Sequence, residues 1–441
     1  ATRVLSVPHT CRERAFRQRM VEFIYWYSLR MSPLRNTAVA KTLGLPMKEI
    51  IVAPMVDASE LPFRMLCRKY GAKLCWTPML HSRIFLESST YRKEKFTTAP
   101  EDRPLIAQFC GHDPEVLVKA ARMVEDKVDA VDLNLGCPQG IARKGRYGAF
   151  LLGETELLEN IVSQMSKSLS VPVTCKIRIL PGPDIEGTIK LAQRLEKAGC
   201  SVLTIHGRTK EQNKELVGAA DWEAIRRIRE SIGIPVVANG GIGTRKDVER
   251  CLEETGVEGV MSSEAILENP ALAMREGTMP EPAQIALDYL DMVEKYPENR
   301  KIVRSHLFKF LSGSLEAHPV FRQRICTVPF KGEFLPHFRQ VVTDLLQMHT
   351  SGECTLDRCK TQQEDFGVHY DRYQHSNSKL YSRDESGKLI RIGVPESRRE
   401  EVLEQRASKK KRKAELRVSR EERLKKAQRR KLICEGKAPA S

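Results

Sequence analysis

The sequence lacks the features that define several common protein classes. Its twelve cysteines include no C-x-x-C pair, and the nearest spacing, Cys354 with Cys359, supplies too few ligands for a four-coordinate zinc site. No run of about 18 apolar residues occurs, so no membrane-spanning helix is expected. We therefore expect reduced thiols, no bound metal, no membrane contact, and a cytoplasmic or nuclear location.

Acidic residues are scarce at the start of the chain. The first 45 or so residues are rich in Arg and contain only Glu13 and Glu22 as acids. Such a composition weakly resembles an organelle transit peptide, but the two acids count against that interpretation. The alternative, which we favour, is a disordered basic leader over residues 1–48, so a mitochondrial location is the less expected outcome.

Basic residues outnumber acidic ones overall. The chain carries 73 Lys and Arg against 57 Asp and Glu, a formal net charge of +16, which indicates a polyanionic partner such as nucleic acid or an anionic surface. Residues 398–431 alone hold sixteen Lys or Arg against six Glu, so most of the excess lies in a basic tail over residues 397–441. Its KKKRK run (409–413) is typical of a nuclear signal or an RNA contact, with a solvated basic helix as the alternative.

Short apolar segments alternate with amphipathic helical patterns between residues 49 and 278. The eight β-prone segments are EIIVAPM, LCWTPML, PLIAQFC, AVDLNLG, PVTCKIRI, SVLTIHGRT, PVVANGGI and GVMSSEAIL. Eight strand–helix units of this total length predict a (β/α)₈ TIM barrel, in the α/β class, with a doubly wound sheet as the alternative. The pattern then becomes helical over residues 279–349, and a polar linker over residues 350–396 leads to the tail.

Polar residues follow the predicted strands at their carboxyl ends, where barrel enzymes place their active sites. Lys176 is the most informative of them, because a buried lysine almost always has a partner. Lys176, His206, Gln108 and Asn239 offer donors suited to the polar edge of a heteroaromatic ring, which suggests a flavin. The glycines of NGGIG and the segment GVMSSEAI occupy the positions where such barrels hold a phosphate.

Cys137 lies where the run AVDLNLG ends in the turn residues GCPQG. Its thiol is suited to two roles, a thiolate nucleophile or a proton donor. No histidine lies near it in the sequence to act as a base, which favours the proton donor. The alternative is one inert buried cysteine among twelve.

Several motifs together resemble the tRNA-dihydrouridine synthase family. The segments are APMVDASELPFR, DLNLGCPQGIARKGRYGAFLL, KIRI, HGRTKEQ and ANGGI, and CWTPMLH with GVMSSEAIL is similar to the eukaryotic class that acts at positions 16 and 17 of the tRNA D-loop. The resemblance covers roughly residues 49–349. It implies an FMN-dependent reduction of the uracil C5=C6 bond, with NADPH, or NADH in its place, as the reductant. Flavin N5 would deliver a hydride to C6, and Cys137 would donate a proton to C5.

The resemblance also implies roles for individual residues. The implied FMN contacts are Pro54, Met55, Val56, Gln108, Lys176 and His206, with Asn239, Gly240, Gly241, Ser263 and Glu264 around the phosphate. The implied uracil contacts are Asn134, Arg178 and Arg208. One departure from the family pattern is that many bacterial members carry Gly-Arg-Gly where this chain has Ser262, Ser263 and Glu264, so the phosphate must be neutralised by other groups or by the backbone alone.

The helical segment would be the family's tRNA-binding module. Its basic residues form a candidate set of phosphate contacts: His306, Lys309, His318, Arg322, Arg324 and Lys331. Two other functions stay open at this stage, an FMN barrel that acts on a free pyrimidine or another small substrate, and a noncatalytic RNA-binding scaffold. The oligomeric state does not follow from the sequence.

Overall fold

The structure is a computed structural model that describes residues 38–182, 185–213, 217–328, 333–351, 381–383, 389–391 and 408. The described residues fall into two compact units. Residues 38–212 and 219–351 belong to the first unit, and residues 213, 217–218, 381–383, 389–391 and 408 belong to the second. Most of the predicted leader and linker, and the basic tail apart from residue 408, lie outside the described residues.

Eight parallel strands close into a barrel in the first unit. The barrel strands are β1 (Ile50–Val52), β2 (Cys75–Trp76), β4 (Leu105–Cys110), β5 (Ala130–Leu135), β6 (Val173–Arg178), β7 (Val202–His206), β8 (Val236–Asn239) and β9 (Gly259–Ser262). Each is paired with the next, β9 returns to β1, and the ring closes where β2 pairs with β4. A two-residue strand, β3 (Leu80–His81), extends the second predicted segment along β4. The predicted TIM barrel is confirmed, and the doubly wound alternative is wrong because the sheet has no free edge.

Alternate residues of each strand face opposite sides of the barrel wall. Ile51, Trp76, Ile106 and Val237 belong to one apolar cluster, and their neighbours along each strand belong to the larger cluster that the surrounding helices cover. The first cluster therefore fills the barrel interior. This alternation also determines which polar side chains of the strands point inward.

Residues 38–47 close the amino-terminal end of the barrel interior. The helix Ala38–Thr42 is followed by Leu43, Leu45 and Met47, and these apolar side chains are buried in the interior cluster. The prediction of a disordered leader over the whole of residues 1–48 is therefore wrong for this segment, because its apolar residues gain burial beneath the strands.

Helices surround the barrel, and some of them begin at recognisable capping residues. Asp113 accepts a hydrogen bond from the Val116 N–H at 3.2 Å, and Thr244 forms a capping box with Asp247. The helices of the barrel are Leu61–Lys69, Ser82–Glu87, Ser89–Lys95, Pro114–Arg122, Gly140–Gly145, Thr155–Ser168, Glu186–Lys197, Trp222–Ser231, Arg245–Thr255 and Glu264–Glu268, with 3₁₀ turns at Glu125–Lys127, Gly148–Phe150 and Pro270–Ala273.

A group of helices follows the barrel within the same unit. They are Pro282–Lys295, Arg300–Phe310, Ser312–Ala317, Pro319–Thr327 and Leu335–Thr350. The first of them packs on the barrel helix Leu61–Lys69, where the Asp288 carboxylate accepts a hydrogen bond from the Tyr70 hydroxyl at 2.7 Å and pairs with Lys69 at 2.6 Å. None of the described helices is both long and apolar enough to cross a membrane.

A buried polar cluster joins the helical domain to the barrel. Glu60 accepts a hydrogen bond from the Tyr289 hydroxyl at 2.7 Å, and the His306 Nε2 lies 2.9 Å from the same carboxylate. Phe63 stacks on the His306 ring with the ring centroids 4.7 Å apart. Burial alone would raise the pKa of Glu60, but His306 and the Tyr289 hydroxyl together lower it. The cluster is therefore a desolvated contact between the two parts in which the Glu60 carboxylate is hydrogen-bonded from both sides, while the His306 Nδ1 has no hydrogen-bond partner among the described residues.

The position of His306 corrects one sequence-based prediction. The sequence suggests His306 as a candidate phosphate contact, but its side chain is 0% exposed. A phosphate cannot reach a fully buried ring, so this prediction is wrong. The helical spacing that puts the residue on the apolar face of Arg300–Phe310 is the physical reason.

In the second unit, β10 (Tyr381–Arg383) and β11 (Leu389–Arg391) pair antiparallel, with Ser382 opposite Ile390. These residues lie within the segment that the sequence predicted to be a linker. The pairing is backbone-directed and needs only two short extended segments.

We expect the Tyr289→Phe substitution to lower the free energy of unfolding by about 1–3 kcal/mol, because the buried Glu60 carboxylate loses a donor. The measurement is urea unfolding at neutral pH. Tyr296→Phe is the matched control: its hydroxyl also donates to a carboxylate, that of the exposed Glu101, and we expect a change within about 0.5 kcal/mol. Equal effects of the two substitutions would contradict the prediction.

Candidate active site

Six of the fifteen predicted site residues lie on inward-facing positions near the carboxyl ends of the strands, and the other nine lie in the segments that follow strands. In the register of the sheet, Asn134 is opposite Lys176, and Arg178 is opposite His206, which is in turn opposite Asn239. Gln108 lies one strand earlier on β4 and reaches the same interior. The closed barrel thus brings together residues that are far apart in the sequence.

The side chains of Gln108 and Asn134 are joined by a hydrogen bond. The Asn134 Nδ2 donates to the Gln108 Oε1 at 2.7 Å, and the Asn134 Oδ1 accepts from the backbone N–H groups of Gly136 and Cys137 at 3.2 and 3.1 Å. Asn134 is 8% exposed. The geometry makes this amide a support for the loop that carries the cysteine.

Lys176 lies inside the barrel and has the partner that its burial requires. Its Nζ donates to the Asn239 Oδ1 at 2.8 Å, and the Asn239 Nδ2 donates to the Met261 carbonyl at 3.0 Å. Desolvation and the neighbouring Arg178 charge lower the pKa of Lys176 to about 7. The Lys176 side chain therefore loses its proton easily near neutral pH, and it can form a hydrogen bond with the polar edge of a ligand.

His206 is held neutral at the end of β7. Desolvation, together with the charges of Arg178, Lys176 and Arg208, lowers the pKa of His206 well below its ordinary value. The Arg208 Nη1 lies 3.2 Å from the His206 Nε2, so this nitrogen accepts the hydrogen bond. Gly240 has a φ of +102°, and a Cβ there would lie 2.8 Å from the His206 Cδ2. Glycine is needed because the ring and the backbone approach so closely.

Arg178 binds backbone carbonyls of two loops at the barrel mouth. Its Nε donates to the Gly136 carbonyl at 2.9 Å, and its Nη1 donates to the Thr209 carbonyl at 2.8 Å. Desolvation and the Arg208 charge lower the pKa of Arg178 to about 10. The guanidinium thus ties the loop after β5 to the loop after β7.

Cys137 is half-buried at the mouth, and its thiol is held protonated. Desolvation raises the pKa of the Cys137 thiol, although a backbone hydrogen bond and the charges of Arg178 and Lys176 oppose this effect. The net direction agrees with the interpretation of Cys137 as a proton donor rather than a thiolate.

The loop of Cys137 rests directly against Gly148. The Cys137 carbonyl accepts a hydrogen bond from the Ala149 N–H at 3.1 Å. Gly148 has a φ of +68°, and a Cβ there would lie 2.7 Å from the Cys137 carbonyl oxygen and 2.9 Å from the Cys137 Cβ. Gly148 therefore permits the close approach that places the thiol.

The segment after β1 contributes a more open part of the mouth. The Ser59 hydroxyl donates to the Met55 carbonyl at 3.2 Å and accepts from the Met55 N–H at 3.0 Å. Pro54 is half-buried, and Val56 is 55% exposed, which is unusual for an apolar side chain beside a polar site. A ligand over the mouth would cover it.

The region predicted to hold a phosphate lies after β8 and β9. Gly240 and Gly241 both have positive φ, and the Trp222 Nε1 donates to the Gly240 carbonyl at 3.0 Å. Ser263 precedes the helix Glu264–Glu268, and Glu264 is exposed. Among the described residues, the buried Ser262 Oγ has no hydrogen-bond partner, which is a feature that a bound polar group would satisfy.

Sequence reasoning missed three residues that shape this site. Asp132 is buried beneath Gln108, Trp222 supports Gly240 and Gly148 supports Cys137. A signal for Asp132 was present, because it alternates with Asn134 along a strand that is otherwise apolar. No local pattern indicates the other two, since their partners are distant in the sequence.

The remaining candidate phosphate contacts of the helical domain differ in their surroundings. Arg322 is exposed and lies over the Phe308 ring, whereas Arg324 pairs with Asp344 at 2.5 Å. Lys309 donates to the Ser305 hydroxyl at 3.3 Å, and His318 lies beside Phe321. Lys331 lies outside the described residues.

Alkylation of Cys137 with iodoacetamide should require a higher pH than that of an ordinary thiol. The thiolate is the reactive form, and a raised pKa leaves less of it at every pH, so the half-maximal rate is expected above about pH 8.5. Mass spectrometry of the labelled peptides gives the rate, with the exposed Cys326 as the reference for reagent quality. A rate that has already levelled off by pH 8 would contradict the raised pKa.

A Gly148→Ala substitution should displace the Cys137 loop. An alanine at this position would have to keep the left-handed backbone, and its Cβ would lie closer to Cys137 than real Cβ atoms lie to their neighbours. We therefore expect a loss of about 1–3 kcal/mol in the free energy of unfolding. The alkylation rate of Cys137 should also change. Gly153→Ala is the matched control, because a Cβ there meets no atom within 4 Å. Equal behaviour of the two variants would count against the role of Gly148.

Several known proteins are similar to this chain in sequence. A protein of Rattus norvegicus named tRNA-dihydrouridine(16/17) synthase [NAD(P)(+)]-like is 52% identical over 280 residues, which is 63% of this chain and 63% of the rat protein. The tRNA-dihydrouridine(16/17) synthase [NAD(P)(+)] of Schizosaccharomyces pombe is 41% identical over 333 residues, covering 72% of this chain and 82% of that protein. The tRNA-dihydrouridine(20a/20b) synthase [NAD(P)+]-like protein of Homo sapiens is 39% identical over 245 residues, covering 55% of this chain and 75% of that protein.

The match to the rat protein therefore spans less than two thirds of that protein's length. The family model described as Dihydrouridine synthase (Dus) matches residues 51–346, which include every strand of the barrel except the first residue of β1, and most of the helical domain. The chain therefore belongs to the dihydrouridine synthase family.

Proposed function

We propose that this protein is a tRNA-dihydrouridine synthase that reduces the C5=C6 bond of uridines at positions 16 and 17 of the tRNA D-loop. The observation that carries the proposal is a protonated, half-buried Cys137 at the mouth of a barrel whose interior offers Lys176, His206 and Asn239. The names of the rat and fission-yeast relatives support the same reaction and the same positions.

The proposed reductant is NADPH, with NADH as the alternative. The relatives' names carry NAD(P)(+), which supports a nicotinamide reductant without choosing between the two. The reaction adds a hydride to C6 and a proton to C5 of the uracil, so the nicotinamide supplies both electrons and the protein supplies the proton.

The proposed cofactor is FMN, and the residues present fit it. Lys176 and the neutral His206 offer hydrogen-bonding groups for the polar edge of the flavin ring, and Pro54, Met55 and Val56 offer an apolar border at the end of β1. Gln108 is 0% exposed and its amide is bonded to Asp132 and Asn134, so we do not assign it a contact with the flavin. Asn239, Gly240, Gly241, Ser263 and Glu264 are the proposed phosphate contacts, and the unpartnered Ser262 Oγ fits a polar group there. When bound, FMN supplies the hydride.

Lys176 would donate a hydrogen bond to the edge of the flavin ring, and it can do so as a neutral amine or as an ammonium ion. With a pKa lowered to about 7, it exchanges a proton near neutral pH at little cost. Asn239 orients the amine through the 2.8 Å hydrogen bond. Glu264 is acidic and exposed, so its backbone N–H, rather than its carboxylate, is the proposed phosphate contact.

Cys137 would act as the general acid. Burial keeps its thiol protonated at neutral pH, and the thiol would donate its proton to C5 as the hydride reaches C6. The neighbouring Arg178 and Lys176 charges would stabilise the thiolate that remains, until solvent returns a proton.

Asn134, Arg178 and Arg208 are the proposed residues on the uracil side of the site. Their contacts indicate how they would serve it. Asn134 holds the loop of Cys137 and Arg178 ties it to the loop after β7, so both would orient the acid relative to the base. Arg208 hydrogen-bonds to His206 and would extend from there towards the substrate.

The helical domain is the proposed tRNA-binding part. Arg322 is the candidate best placed for it, because it is exposed and is held over an aromatic ring, whereas the charge of Arg324 is already paired. The net charge of +16 agrees with a polyanionic substrate.

The proposal predicts dihydrouridine at positions 16 and 17 when an unmodified tRNA transcript is incubated with the protein and NADPH. Cys137→Ala should lower the rate by about 10²–10⁴-fold while flavin content is retained, because the thiol acts on the substrate and not on the cofactor. Mass-spectrometric mapping of the tRNA and the flavin absorbance give the two readouts. Cys326→Ala, at an exposed cysteine, is the control and should leave both unchanged.

Other outcomes of the same experiment contradict parts of the proposal. Loss of flavin in Cys137→Ala would make the cysteine structural. Reduction of free uridine without reduction of tRNA would favour the small-substrate enzyme, and a colourless protein with no activity would favour a binding scaffold.

A further inference from the structure

Asp132 is a buried acid to which none of the roles above is assigned. It lies in the middle of β5 on an inward-facing position, and its side chain is 0% exposed. A carboxylate inside a barrel is costly unless its oxygens accept hydrogen bonds. Its Oδ2 accepts from the Gln108 Nε2 at 2.7 Å, and its Oδ1 accepts from the Thr174 hydroxyl at 2.6 Å.

The ionised carboxylate determines which way the next amide points. An ionised carboxylate can only accept hydrogen bonds, so Gln108 must turn its NH₂ group towards Asp132. Its carbonyl oxygen then faces Asn134, where it accepts from the Asn134 Nδ2 at 2.7 Å. The orientations of the Gln108 and Asn134 side-chain amides are therefore both fixed.

The same constraint continues to the loop of the proposed acid. Because the Asn134 NH₂ group is directed at Gln108, its Oδ1 faces the loop and accepts from the backbone N–H groups of Gly136 and Cys137. A reversed Asn134 would present donors to these two donors and would release the loop.

We propose that Asp132 is a positioning residue for Cys137: its carboxylate sets the direction of the hydrogen-bond chain through Gln108 and Asn134 that holds the Cys137 backbone at the barrel mouth. This inference deepens the proposed function and rests on the role of Cys137 given there. It also assigns Gln108 a task inside the barrel, where its side chain is 0% exposed, in place of the flavin contact that the sequence implied.

The surroundings of Asp132 agree with this role. Burial raises the pKa of Asp132 to about 6, while the hydrogen bonds from Thr174 and Gln108 and the charge of Lys176 act in the opposite direction. The carboxylate is therefore ionised at neutral pH, as the direction of the chain requires. Thr174 satisfies the second oxygen and leaves the first for Gln108.

The test removes the directing carboxylate at position 132 and then introduces a carboxylate at position 108, which is the next residue in the chain of hydrogen bonds. In Asp132→Asn, the new amide can present either an oxygen or an NH₂ group to Gln108, so the direction is no longer imposed. In the double variant Asp132→Asn with Gln108→Glu, the amide introduced at position 132 donates to the carboxylate introduced at position 108. That carboxylate in turn accepts from Asn134, and the number of buried charges is the same as in the original protein.

The first readout is the rate of Cys137 alkylation by iodoacetamide at fixed pH, which needs neither flavin nor substrate. We expect Asp132→Asn to raise this rate at least threefold, because the half-buried thiol becomes more accessible when its loop is released. The double variant should return it to within twofold of the original. Thr204→Val is the matched control, since it makes the same kind of change at a buried, inward-facing strand position whose hydroxyl forms no hydrogen bond with any described residue, and it should leave the rate within twofold.

The second readout is dihydrouridine formation in a tRNA transcript, with kcat and KM measured separately. Asp132→Asn should lower kcat at least tenfold with KM for tRNA within threefold, because positioning of the acid and not binding is affected. Partial recovery of kcat in the double variant is expected. An unchanged alkylation rate in Asp132→Asn, or a double variant no better than Gln108→Glu alone, would overturn the inference.

The two readouts separate this inference from the proposed function. If the alkylation pattern holds but the original protein makes no dihydrouridine, the positioning role stands and the proposed function fails. If dihydrouridine forms and alkylation is the same in all variants, the proposed function stands and the positioning role fails. If Asp132→Asn does not fold, the comparison of Gln108→Glu with the double variant decides the question.

Discussion

Charged and amide side chains that face the interior of a closed barrel need hydrogen-bond partners within that interior, and the active site is built around this requirement. Asp132 and Lys176 bring opposite charges into this interior. Gln108 and Thr174 bind Asp132 from the strands on either side of it, and Asn239 binds Lys176 from two strands away. Two chains of hydrogen bonds result, one from Asp132 to the Cys137 loop and one from Lys176 through Asn239 to the Met261 carbonyl. Because an unpaired buried polar group is costly, stability and the geometry of the site rest on the same contacts.

Cys137 lies on the loop after β5, at the barrel mouth, and not on a strand of the barrel wall. Contacts from neighbouring segments hold the loop there. Asn134 and Arg178 reach out of β5 and β6 to the backbone around Cys137, and Gly148 allows a second loop segment to pack against it. A thiol on such a loop combines partial burial, which raises its pKa, with access to a ligand at the mouth. A strand position would have provided burial without access. This arrangement is common in barrel enzymes, where rigid strands carry the supporting residues and loops carry the reacting groups.

In the helical domain, the number of basic residues does not reveal which of them a phosphate could reach. Its basic residues look alike in the sequence, yet His306 is buried against Glu60 and Phe63, Arg324 is paired with Asp344, and Arg322 is exposed. Helical periodicity could have placed His306 on the apolar face, but whether that face meets solvent or the barrel depends on docking. The basic character of the chain therefore indicates a polyanionic partner without identifying which side chains meet it.

The barrel can be predicted from local patterns, because eight β-prone segments separated by amphipathic helices have few other ways to bury their apolar faces. The same patterns indicate Cys137, Lys176, His206 and Asn239, since polar residues at the ends of apolar strands stand out locally. The partners of these residues depend instead on the folded chain: Asp132 lies beneath Gln108, Gly148 beside Cys137, and residues 38–47 beneath the barrel. Those contacts join residues far apart in the chain, and closure of the sheet, which no local pattern records, determines which of them meet.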